Sequence, residues 1–257
     1  MDIVLLAGGG VQPEDLLYSY TKGKPKAFID IAGQHMIQWV LDALNGAVGV
    51  DNIILVGLDD IRELRCQKPL HLIPNQEGLM ANIKAGAERL QELNPRAEYF
   101  LLASSDIPAI TSEMVDWVIE TAKESDHDIH FNVVERAAME ERFPGANRTF
   151  AKLNGIEVCG ADISVLRLKM VTHNEELWSR LIASRKSVFK QAALIGLDTI
   201  LMVLFRITDL EGTAQQLSRR VGVNARAIIS PYAELAMDVD KPHQLEILIK
   251  DLSQKRP

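Results

Sequence analysis

Cysteine is nearly absent: the 257 residues hold only Cys66 and Cys159. The two lie far apart and neither belongs to a C-x-x-C pair, which argues against a disulfide framework or a structural zinc site. Aromatic residues are scarce, at 5% of the chain. An excess of positive charge is missing too, with 28 Lys and Arg against 35 Asp and Glu and a net charge of −7. Nucleic acid held through its phosphates is therefore not an expected partner. A local cationic pocket for a nucleotide is compatible with that balance. The most apolar segment, 192–207, carries Asp198 and Arg206, and it falls short of the ~20 apolar residues of a spanning helix. Membrane contact is not expected. The opening Met1-Asp2 runs straight into an apolar stretch, without the basic region and cleavage site of a signal peptide, so the expected compartment is the cytoplasm.

Short continuous apolar runs alternate with segments of helical spacing. Residues 2–7, 52–56, 70–73, 99–103 and 128–134 read as strands buried on both faces. Between them, 35–44, 79–93 and a segment from Thr111 or Ser112 to Lys123 read as helices. This alternation predicts an α/β fold, a Rossmann-like, mostly parallel sheet with helices on both faces. Residues 174–221 read as wholly helical. Strands return at 225–229 and 235–239, and 242–252 forms a closing helix. The expectation is one domain, 1–257, with a helical insertion near the C-terminus at about 165–222. Within it, 187–207 is apolar on more than one face. Its cover is ranked as a homodimer contact first, intramolecular packing second and a membrane surface third.

The first strand ends at Leu6-Ala7-Gly8-Gly9-Gly10. Ligands of open α/β sheets bind beyond the carboxyl ends of strands, and glycines there let backbone N–H groups approach a phosphate. A dinucleotide-binding G-x-G-x-x-G would need glycine where Pro13 stands, and Gly23-Lys24-Pro25 does not fit a P-loop. Lys22, Lys24 and Lys26 crowd the following loop, where they suit either a triphosphate or solvent.

The order L-L-A-G-G, then K-A-F-I-D-I-A-G-Q-H-M-I-Q-W-V-L-D-A-L, resembles the opening of the MobA-like NTP transferase family. The resemblance covers about 1–165 and 225–250, and it implies the nucleotide-diphospho-sugar transferase (GT-A type) fold. Lys26 matches the family's phosphate-binding lysine, while Gly33 and Met36 match its helix start. The family's arginine after the glycine turn is missing, leaving Lys22 or Lys24 as substitutes. Asp106, in Ser105-Asp106-Ile107-Pro108, matches the family's D-x-P aspartate, which binds Mg²⁺. The segment Asp238-Val239-Asp240-Lys241-Pro242 resembles the late segment that supplies a further metal ligand. Two carboxylates two apart on a strand share a face, an arrangement that favours a cation.

The resemblance also places Gly78 and Asn82 near the nucleobase or ribose, although helix capping accounts equally well for neighbouring Asn75. Arg148, Lys152 and Gly160 fall on the acceptor side, where Cys159-Gly160-Ala161-Asp162 departs from the family's T-G-G-N. The activity implied is a Mg²⁺-dependent transfer of a nucleotidyl group from an NTP to a small phosphorylated acceptor, with Lys26 and Asp106 catalytic. The rivals are a glycosyltransferase using a nucleotide-sugar and a nucleotide-binding protein without catalysis. D-x-P in place of D-x-D argues against the first.

Overall fold

A computed structural model describes residues 1–9, 12–21, 23–76, 78–173 and 209–254. In chain order the elements are β1 (Ile3–Leu6), α1 (Tyr18–Thr21), β2 (Asp30–Ile31), β3 (Gln34–His35), α2 (Met36–Gly46), β4 (Ile53–Val56) and β5 (Leu70–Ile73). There follow α3 (Leu79–Leu93), β6 (Tyr99–Ser104), α4 (Ser112–Ala122), β7 (Ile129–Glu135), α5 (Arg136–Arg142), β8 (Ala151–Leu153) and β9 (Ile156–Arg167). The last are α6 (Leu168–Thr172), α7 (Leu210–Val221), β10 (Ala225–Ile229) and α8 (Pro242–Ser253).

The main sheet runs β10-β7-β9-β6-β1-β4-β5, with β8 paired to β9. Strands β6, β1, β4 and β5 are mutually parallel, and β7 is parallel to β10. Strand β9 lies antiparallel between β6 and β7. The apolar runs are continuous because helices cover both faces. Ile3 and Leu5 of β1 pack with Val40 and Leu44 of α2 and Val115 and Ile119 of α4. Val4, between them, points the other way, into a core shared with Ile83 and Leu90 of α3 and Val171 of α6. Each such side chain contributes about 1.5–3 kcal/mol when withdrawn from water. Among the described residues no helix is long and apolar enough to cross a membrane.

Three sequence expectations change or fall outside the description. Strand β9 has no counterpart in the reading of 143–165, since Gly160, Asp162 and Ser164 break its apolar pattern. The expected strand at 235–239 is instead a 3-10 turn, Ala233–Ala236, leading into an extended segment without a ladder partner. Leu235, Ala236, Met237 and Val239 are buried there, and a short apolar run does not distinguish strand from helix by periodicity. Within the segment read as helical, α7 is helical, while 174–208 lie outside the described residues. The homodimer face expected at 187–207 falls there as well.

Arg142 fastens the C-terminal part of the chain to α5. Its Nη1 and Nη2 donate to the Asp251 carboxylate at 2.7 and 2.8 Å, and its Nε donates to Glu234 Oε1 at 2.7 Å. Glu234 is buried, and the guanidinium also lies over the Phe143 ring. Removing the cation takes the guanidinium away from two carboxylates, one of them the buried Glu234. Because Arg142 is partly exposed, Arg142→Ala should cost about 2 kcal/mol, below the range for a fully buried pair. Arg142→Lys should recover only part of this, because an ammonium cannot form the two-pronged contact. Urea denaturation monitored by circular dichroism measures both, and an unchanged midpoint for the alanine variant would refute the role.

Candidate active site

The loops after β1, β4 and β6 continue the sheet's hydrogen bonding one step past the strands. Ala7 N donates to Val56 O at 2.8 Å, Ser105 N to Leu6 O at 2.9 Å and Gly57 N to Ile73 O at 2.9 Å. This brings Gly8, Gly9 and Asp106 to one carboxyl edge, around a cleft of about 280 Å³. Leu6, Ala7, Gly8, Gly9, Lys26 and Asp106 all line it. Gly10 and Lys22 lie outside the described residues.

The glycine turn sits on a polar support. A Cβ on Gly8 would lie 2.6 Å from Asn75 Oδ1 and 3.0 Å from Asn82 Nδ2. Asn82 is buried; its Nδ2 donates to Asn75 Oδ1 at 2.9 Å and its Oδ1 accepts from Gln76 N at 2.6 Å. Both ends of this side chain therefore hold the loop beneath Gly8, and Asn82 is not among the residues lining the cleft. Gly78 takes the N-cap position of α3. From α3, Leu79 and Ile83 give the cleft an apolar side, a use the sequence reading did not assign to them. Gly57 is a second residue it did not assign. Its φ is +109°, and a Cβ there would lie 2.3 Å from Gly8 Cα and N.

The charges converge from four segments. Lys26, in a 3-10 turn, donates from Nζ to Asp106 Oδ2 and to Asp240 Oδ1, both at 2.7 Å. Burial pulls the lysine pKa down, but Asp106 and then Asp240 outweigh it and hold the ammonium above its usual range. Ser104 Oγ donates to Asp106 Oδ1 at 2.5 Å, and Val239 N to Asp106 O at 3.0 Å. Gln244, buried in α8, accepts on Oε1 from Asp240 N and Lys241 N at 3.0 and 2.9 Å. Its Nε2 donates to Ala146 O at 3.3 Å, next to the Arg148 loop.

Asp238 and Asp240 do not share a face, as the absence of a strand there requires. Asp238 is buried in an ion pair with Arg148, whereas Asp240 is exposed and meets Lys26. Among the described residues no three His, Cys, Asp or Glu side chains form a metal-binding group. Asp162 joins the site unforeseen. It lines the cleft, and its Oδ2 lies 3.9 Å from Arg148 Nη2.

The acceptor-side residues separate. Arg148 lines a second cavity of about 410 Å³ beside Phe143, Asn147 and Phe150. Lys152 lies on β8 with its Nζ 3.7 Å from Glu157 Oε1, and Gly160 pairs with Val133 inside the sheet. Neither lines the first cleft. Lys24 borders a smaller hollow with Phe28 and His35. His35 contacts Phe28 O and Glu63, a structural placement.

A match to the MobA-like NTP transferase domain spans residues 3–201. The chain belongs to the MobA-like NTP transferase family. Among solved structures, a hypothetical transferase from Thermus thermophilus is 30% identical with a TM-score of 0.81, over 95% of this chain and 98% of that one. CMP:2-keto-3-deoxy-manno-octonic acid synthetase complexed with CTP is 15% identical with a TM-score of 0.61, over 99% and 98% of the two chains. The 4-diphosphocytidyl-2C-methyl-D-erythritol synthase of Anaerococcus prevotii is 12% identical with a TM-score of 0.60, over 99% and 96%. The last two share the fold. Comparison with curated proteins finds no match. Membership of the family makes this MobA-like chain a nucleotidyltransferase.

Two measurements test the geometry of this MobA-like site. Gly57→Ala meets both a positive φ and the Gly8 backbone, so it should lower unfolding free energy by about 2–3 kcal/mol. Gly160→Ala has nothing within 4 Å of its new Cβ and should change it by less than about 1 kcal/mol. Equal urea midpoints for the two variants would contradict the packing of Gly57 on Gly8. The second concerns Asp162, which burial, then Asp106, push from 3.8 up to about 6 against the pull of Arg148. Between those values the folded protein holds a proton that the unfolded chain has lost, so this group makes stability fall as pH rises through the window. Asp162→Asn should flatten that fall in urea titrations between about pH 4 and about pH 6. An identical slope in the variant would contradict the raised value.

Proposed function

We propose that the chain transfers a nucleotidyl group from an NTP to a small phosphorylated acceptor and releases pyrophosphate, with a divalent metal such as Mg²⁺. The observation that carries the reading is the convergence of Asp106 and Asp240 on one ammonium, at the edge of a glycine-walled cleft. The Lys26 ammonium stands where a cation shared by two carboxylates is favourable, so the donor set fits such a metal. Mg²⁺ takes few protein ligands because phosphates and water complete its shell. Asp106 and Asp240 would hold it, while Asp238 is engaged by Arg148. When bound, the metal supplies charge neutralisation across the phosphates.

The chain's own residues bind and orient. Gly8 and Gly9 bring backbone to the phosphates without side-chain hindrance, and Leu79 and Ile83 offer an apolar surface to the base. Lys26 exchanges a carboxylate partner for phosphate oxygens and stabilises the charge that grows as pyrophosphate leaves. The acceptor phosphate is itself the nucleophile, so positioning accounts for most of the rate and no nucleophilic side chain is required.

CTP is the first NTP to test, because one structural neighbour was solved with it. Pyrophosphate release from the four NTPs should depend on Mg²⁺ and vanish with EDTA. Asp106→Asn should lose at least about a hundredfold in kcat, the scale of one transition-state electrostatic contact. Lys26→Ala should weaken NTP binding about tenfold or more and leave nucleoside binding unchanged. Metal-independent release, or an Asp106→Asn variant as active as wild type, would overturn the reading.

A further inference from the structure

Strand β9 does not run evenly along β7. Phe131 faces Ser164, but Val133 faces Gly160. Asn132 therefore stands alone opposite three residues of β9, Ala161, Asp162 and Ile163. Along its other edge β9 keeps register with β6 as far as Ile163, opposite Ala103. The strand thus bulges on the β7 side, level with the end of β6 that leads to Asp106. A bulge bends its strand and re-aims the side chains it carries. Here it builds a wall of the first cleft, which Ala161, Asp162, Ile163 and Ser164 all line. A regular strand would turn successive side chains to opposite faces.

Asn132 holds the bulge from behind. It is buried and is not among the residues lining the cleft. Its Nδ2 donates to Ile163 O at 3.0 Å, within the stretch where three residues of β9 face a single partner. The side chain thus supplies a donor where the ladder is out of step. Among the described residues its Oδ1 is sealed from solvent without a hydrogen-bond partner. A buried acceptor left unpaired costs about 1–3 kcal/mol. An apolar side chain of this size avoids that cost, so stability alone does not call for asparagine. What asparagine adds is the donor on the bulge carbonyl.

We propose that Asn132 is a positioning residue for NTP binding: its amide fixes the β9 bulge, and the bulge presents residues 161–164 to the nucleotide. Asn132 acts through β9 and touches no substrate. Lys26, Asp106 and Asp240 are joined to one another through other segments, so loss of the amide weakens binding and spares the chemical step. This rests on the nucleotidyl-transfer reading and deepens it.

The test uses the full chain with Mg²⁺ and CTP, then the other three NTPs, and the variants Asn132→Leu and Asn132→Asp. The first keeps roughly the same volume without the donor. The second keeps the shape and turns an acceptor towards Ile163 O. Both should raise KM for the NTP about tenfold, the scale of one hydrogen bond. Their kcat should stay within about twofold of wild type, the signature of lost uniform binding. Asn132→Leu should also keep a urea midpoint close to wild type, because the unpaired oxygen leaves with the amide. A merely structural role would move the midpoint and leave the KM of the folded protein unchanged. The bulge itself is read by NMR titration of the Asp162 carboxyl, which should fall from about 6 towards its ordinary range in Asn132→Leu as its buried setting loosens. An unchanged KM, an unmoved Asp162 titration, a loss confined to kcat, or failure of both variants to fold would each overturn the proposal. If wild type binds an NTP by calorimetry but releases no pyrophosphate, the transfer reading fails, and the calorimetric affinities of the variants still decide the role of Asn132.

Discussion

A single ammonium group organises the carboxyl edge of this sheet. Lys26 Nζ holds Asp106, from the loop after the central strand β6, and Asp240, from the segment before the last helix. These groups lie 80 and 214 positions from Lys26 in the chain, so the contact closes large loops and depends on the whole sheet being in register. It also solves a charge problem. Among the described residues, Asp106, Asp162, Asp238 and Asp240 are gathered with Lys26 and Arg148 as their ion-pair partners. Such a set tolerates a further cation better than a further anion.

Supporting residues keep this arrangement in place. Gln244 fixes the backbone of Asp240 and reaches across to Ala146, which precedes the Arg148 loop. Ser104 sets the orientation of Asp106, and the Asn75–Asn82 pair carries Gly8. None of these needs to touch a substrate. Their side chains are spent on protein groups, and that is how a site assembled from distant loops acquires a defined shape.

Much of the parallel core was legible in the sequence because β1, β4 and β6 are buried on both faces and so read as unbroken apolar runs. The glycine turn was legible because it ends the first apolar run, whereas Lys26 and Asp106 stood out through the family resemblance. What escaped has a physical reason. Strand β9 alternates burial irregularly and carries Asp162 on its cleft side, so the residue that shapes the site also disguises its strand. The run around Met237 is apolar because it is buried against α5 and α8, not because it joins the ladder. Asp238 and Asp240 then diverge, one to Arg148 and one to Lys26. Gly57 acts through its approach to Gly8, a contact remote in the chain that no local pattern announces.

The antiparallel insertion of β9 has a consequence for the order of assembly. Strand β7 pairs only with β9 and β10, both of which follow it in the chain. The parallel block β5-β4-β1-β6 finds all its mutual partners within the first 104 residues. On emerging from a ribosome, that block can zip while β7 still has no neighbour in the sheet. The half carrying the glycine turn, Lys26 and Asp106 therefore precedes the half carrying Arg148, Asp162 and Asp240. A chain stalled between the two would present the bare edge of β6 to solvent, the kind of open strand that other chains can pair with.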